Sequence, residues 1–167
     1  MPEVTGNSGD ARLVRVALDE ATIVRRREDI EHERRVAIAD LLEGNLFRPK
    51  VALKGNHPGP FHLQLRLEED RLAFDLADQN DAPLGGFTLP LKPFKRIIKE
   101  YFIVCESYFA AIKTANLRHV EALDMGRRSL HDEGSELLRN NLEKKAEVDF
   151  DTARRLFTLV CVLNMRG

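Results

Sequence analysis

The sequence predicts an α+β fold, an antiparallel β-meander sheet packed on one face by C-terminal helices. Two observations carry this expectation. Between residues 61 and 91 apolar side chains recur at every second position, the period of half-buried strands. From Phe94 onward they recur at every third or fourth position, and strands followed by helices argue against a doubly wound sheet, in which the two alternate.

Residues 1–11 are polar, contain Gly6 and Gly9 and show no period, so a loose tail is expected ahead of a single domain over residues 12–167. Val14, Val16 and Leu18 alternate with Arg15 and Ala17 and predict a first strand. Ile30, Ala37, Ile38, Leu41 and Leu42 share one side of a helix over residues 29–43, and Gly44 stands where a left-handed cap costs least. NLFRPKVALKGNHPGP is rich in proline and glycine and reads as loop, with room for a short strand at residues 51–53.

Phe61, Leu63, Leu65 and Leu67, then Leu72, Phe74 and Leu76 beyond the Glu69-Asp70 turn, form a hairpin with one apolar face. Phe87, Leu89 and Leu91 supply the third strand of the meander. After Pro93, the set Phe94, Ile97, Ile98, Tyr101, Phe102, Cys105, Tyr108, Phe109 and Ile112 marks a helix whose stripe is expected to cover the apolar sheet face. Helical spacing continues from Leu117 to Leu142 with an expected break or cap at Gly134, where Asp132 or Ser135 would cap the next piece. Asp149 or Asp151 can cap a last segment to about Met165, where LFTLVCVL is apolar on nearly every side and suits a buried helix or a strand.

Composition excludes several functions. The 167 residues carry 26 basic and 27 acidic side chains, so no overall field holds a phosphate backbone or an anionic membrane, and nucleic-acid binding is disfavoured. The groupings Arg25, Arg26, Arg27 and Lys92, Lys95, Arg96, Lys99 are expected as solvated surface. Cys105 and Cys161 lie in apolar stretches and read as reduced core thiols; with no leader-like or membrane-spanning run, a cytoplasmic protein is expected. Neither CxxC pairs nor metal-ligand spacings of histidine occur, and no phosphate-binding loop is present, so no metal or cofactor is expected.

The stretch ALDMGRRSLHDEGSELL is the best candidate for chemistry. Asp124, Arg127, Arg128, His131 and Ser135 fall on one helical face, where guanidinium forks hold an anion and an imidazole beside a carboxylate moves a proton. Arg127 and Arg128 are the expected anion ligands, His131 the expected general acid or base with Asp124 orienting one of these groups, and Ser135 and Glu133 their support. The bland alternative is an exposed helix with an Asp124–Arg128 ion pair, and either way His131 is expected outside the core. Arg127, however, lies on the inward line of Val120, Leu123 and Leu130 and needs a partner, for which Asp124, Glu121, Asp149 or Asp151 are at hand. The IEHERR segment lacks the second histidine of a zinc-protease helix, because position 36 is valine.

Taken together, IEHERRVAIADLLE, PFKRIIKEYFIVCESYFAAI, ALDMGRRSLHDEGSELL and VDFDTARRLFTLVCVL resemble an uncharacterised family of small cytoplasmic alphaproteobacterial proteins. The resemblance spans almost the whole chain after the tail and implies no activity, cofactor or site residue. The favoured reading is therefore a binding or regulatory module with a small anionic ligand or a protein partner, without a membrane. A small enzyme acting on a phosphorylated metabolite is the alternative, and a nucleic-acid or ribosome-associated role stands third. Any uncovered part of the Tyr101 to Phe109 region offers a homodimer surface.

Overall fold

The computed structural model describes residues 10–20 and 28–165; most of the expected tail and the Arg25-Arg26-Arg27 grouping lie outside them. Strands β1 (Leu13–Leu18), β3 (Phe61–Glu68), β4 (Arg71–Ala77) and β5 (Pro83–Pro90) form one sheet in the order β1-β3-β4-β5. The expected meander β3-β4-β5 is antiparallel, and β1 adds to its edge in parallel with β3. A register shift between Leu13 and Arg15 changes the alternation expected for β1, so that Leu13, Val16 and Leu18 are buried while Val14 is half-buried. Residues 10 and 11 are tied down: the Phe47 N–H donates to the Ala11 carbonyl (2.8 Å).

Helix α1 (Glu28–Glu43) matches the expected span, but its end is not held by a left-handed Gly44. Asn45 holds it instead: its amide donates to the carbonyls of Leu41 (2.8 Å) and Leu13 (2.9 Å) and accepts from the Leu13 N–H (2.7 Å), pinning α1 to β1. Strand β2 is Phe47–Pro49, ahead of the expected position, and pairs antiparallel with β6 (Ala146–Val148), a three-residue strand that carries no readable period.

Pro93 sits in a 3₁₀ turn that leads into α2 (Lys95–Lys113). Helix α3 (Leu117–Leu142) is continuous, with Asn116 capping its first turn, so the break expected at Gly134 does not occur. Gly134 is instead buried against α4 (Phe150–Leu163), whose N-terminus is capped by Asp149. The last segment is thus a helix, and Leu156 through Leu163 are buried without exception.

Helix α4 is the one that lies along β3, between the sheet and the other helices, while α2 packs chiefly on α3. The stripe from Phe94 therefore covers less of the sheet than expected: Ile97, Ile98, Tyr101 and Cys105 are buried, but Tyr108 and Phe109 are half-buried and Ile112 is exposed. One contiguous cluster joins the apolar face of the sheet to α1, α2, α3 and α4. Cys105 and Cys161 are free and buried within it, and burial pushes the Cys105 thiol up to about 11 and the Cys161 thiol well above its ordinary value. Among the described residues no helix is long and apolar enough to cross a membrane.

Candidate anion cleft

Three helices converge on a cleft of about 320 Å³. Helix α1 offers Glu33, Val36, Ala37 and Asp40, spaced i, i+3, i+4, i+7 and therefore on one face. Helix α3 brings Arg127, Arg128 and His131, and α4 brings Arg154, Arg155 and Thr158. The last two sets repeat one pattern, two adjacent arginines followed three residues after the second by a polar side chain. The two polar side chains meet: His131 Nε2 lies 2.7 Å from the Thr158 hydroxyl oxygen.

The four guanidinium groups are not equivalent. Arg127 is anchored: it donates to Glu33 (3.1 Å) and Asp124 (2.8 Å), and its guanidinium lies 5.0 Å from the Tyr108 ring centre. Burial works against its charge, but the bonds to Asp124 and Glu33 outweigh that and raise its pKa. Arg154 pairs with Asp132 on α3. Arg155 donates to the Asp151 carbonyl of its own helix (3.1 Å) and lies 3.7 Å from the Asp40 carboxylate and 3.6 Å from that of Asp151, while among the described residues Arg128 pairs with Asp124 alone (3.0 Å), its side chain 71% exposed. Arg127 and Arg154 thus join one helix to another through close ion pairs, whereas Arg128 and Arg155 make their closest bonds within their own helices.

His131 is not outside the core as the sequence suggested. Its ring packs between Tyr101 (5.7 Å) and Phe157 (5.6 Å), because the close approach of α3 and α4 at Gly134 draws it inward. The Thr158 hydroxyl turns to the Arg154 carbonyl (3.3 Å), so the imidazole donates from Nε2, and Nδ1 is left buried with no partner among the described residues. Burial, with the positive charges of Arg154, Arg127 and Arg155, lowers the His131 pKa from 6.5 to about 4.

The structure brings together Arg127, Arg128 and His131 and sets Asp124 behind the two arginines. It does not bring Ser135 or Glu133 to the cleft. Ser135 is fully buried and donates to the His131 carbonyl within its own helix (2.6 Å), while Glu133 turns away to Arg96 of α2 (2.7 Å). The inward partner of Arg127 is Glu33, from the IEHERR segment, and not Glu121, Asp149 or Asp151. Arg154, Arg155 and Thr158 were missed, although the second arginine doublet in DTARRLFTL was a readable signal. The second basic grouping is neutralised in part, Lys95 by Asp70 and Arg96 by Glu100 and Glu133.

A family model described as an uncharacterised protein family, UPF0262, matches residues 10–166. A relative from Paramagnetospirillum magneticum is 54% identical over 156 residues, covering 93% of this chain and 97% of its own. Another from Maricaulis maris is 52% identical over 161 residues, 96% of this chain and 98% of the relative. A Brucella canis relative is 51% identical over 164 residues, 98% of this chain and the whole of its own. All three are described only as UPF0262 proteins. No solved structure matches.

Proposed function

The chain belongs to the uncharacterised protein family UPF0262, a membership that brings no activity with it, and we propose that it is a small binding module of the bacterial cytoplasm whose cleft between α1, α3 and α4 captures a small anion. The observation that supports this reading is the convergence of two arginine doublets from different helices on one cleft, against two lining carboxylates, Glu33 and Asp40. Guanidinium forks match anionic oxygens and keep their charge at any physiological pH. In this reading Arg128 and Arg155 contact the ligand, while Arg127, Arg154 and Asp124 hold the walls in place.

The enzymatic alternative, with His131 as general acid or base, is less well supported. An imidazole held at about 4 is neutral at neutral pH and so is no general acid there, it is a weak base, its Nε2 is engaged by Thr158, and its Nδ1 is buried.

A thermal-shift screen against inorganic phosphate and phosphorylated metabolites tests the reading. A ligand at ten times its Kd contributes about 1.4 kcal/mol, which is roughly 3–6 °C for a chain of this size. We expect such a shift with at least one phosphate compound in the wild type and its loss in Arg128→Ala and in Arg155→Ala. Flat melting curves with every anion, or a shift that survives both substitutions, would overturn it.

A further inference from the structure

Resting on the anion-cleft reading, we infer that the ligand is a compact phosphate ester of a hydroxylated carbon skeleton, and not a nucleotide or a simple carboxylate. Three features of the cleft point to this class. The first is the placement of the arginines. Helices α3 and α4 are joined by the short β6 and return against each other, so each doublet, one turn before His131 or Thr158, flanks that central pair from an opposite end. A planar carboxylate matches a single guanidinium fork, whereas the three oxygens of a tetrahedral phosphate serve Arg128 and Arg155 at once from two directions.

The second feature is the opposite wall. Glu33 and Asp40 line the same cleft from α1, and among the described residues Asp40 is engaged only through a 3.7 Å contact with Arg155. A ligand that is anionic throughout meets repulsion there. One whose far side carries hydroxyl hydrogens donates them to the Asp40 carboxylate and turns the repulsion into charge-assisted bonds. Val36 and Ala37, between the two acids, give a short carbon backbone an apolar seat.

The third feature is the sparse provision for stacking a base. Among the described residues the one ring lining the cleft is that of His131, and it is already engaged by Tyr101 (5.7 Å) and Phe157 (5.6 Å). Proteins hold an unpaired base by stacking it on such rings. The volume, about 320 Å³, is at the small end of the range of roughly 300–1,000 Å³ found for small-molecule sites.

Isothermal titration with inorganic phosphate, glycerol 3-phosphate, adenosine 5′-monophosphate and malate decides the class. We expect glycerol 3-phosphate to bind at least tenfold more tightly than each of the other three. Asp40→Asn, a change at a partly exposed side chain, is expected to narrow the advantage over inorganic phosphate to about threefold or less while phosphate itself still binds. Equal or tighter binding of the adenosine monophosphate or of malate would overturn the class, as would an advantage unchanged in Asp40→Asn, and the anion-cleft reading would stand in each case. If no phosphate compound binds, or if Arg128→Ala and Arg155→Ala bind as the wild type does, the cleft reading itself falls and takes this inference with it.

Discussion

His131 belongs to the core on one side and to the cleft on the other, and its protonation is where this position has a measurable consequence. Its folded-state pKa, about 4, lies below the unfolded value of 6.5, so between these values the unfolded chain binds the extra proton. The associated stability is present in full above pH 6.5 and is lost as the pH falls through that window, by an amount on the order of 3 kcal/mol. In His131→Gln, which has no proton to gain, we expect lower stability at pH 7 from the lost ring packing but a clearly shallower decline between pH 6.5 and 4, read by urea unfolding. Parallel declines in the two proteins would show that the imidazole titrates freely. The sequence placed His131 on the right helical face but could not show its depth, which depends on a glycine one turn later and a phenylalanine from another helix.

That glycine acts at the scale of the helix pair. A Cβ built on Gly134 would stand 2.2 Å from the Phe157 ring, so the ring occupies the space that any other residue would fill. We expect Gly134→Ala to destabilise the fold by about 1–3 kcal/mol through overpacking, even though alanine favours a helix by about 1 kcal/mol. An unchanged or raised melting temperature would contradict the tight contact between α3 and α4. A glycine inside a helical period reads locally as a break, and only the facing ring explains it as a contact. The roles of α2 and α4 follow similar logic. The one-sided stripe of α2 is satisfied largely by α3, whereas α4, apolar on nearly every side, can be buried against the sheet and three helices at once. The alternating strands and the α1 and α2 spans were legible from period alone, while β2 and β6, of three residues each, had too little length to show one.

For the whole molecule, a formal net charge of −1 conceals how the charges are arranged. The arginine doublets lie in separate segments of the sequence, and the fold turns them toward one another across the His131–Thr158 contact. The α3 half of the site was readable because its residues share a helical face; the α4 half needed the tertiary arrangement, since neither Arg154 nor Arg155 shares a local face with Arg128. Asp132 and Asp151 brace the α4 doublet without lining the cleft. The most direct measurement is a side-chain NMR titration that follows the arginine Nε–H signals as glycerol 3-phosphate is added. Arg128 and Arg155 should shift together with one saturating affinity, while Arg15 and Arg48, on the far strands, stay fixed. Uniform small shifts across all arginines, or the largest shifts outside the cleft, would contradict an anion site between α1, α3 and α4.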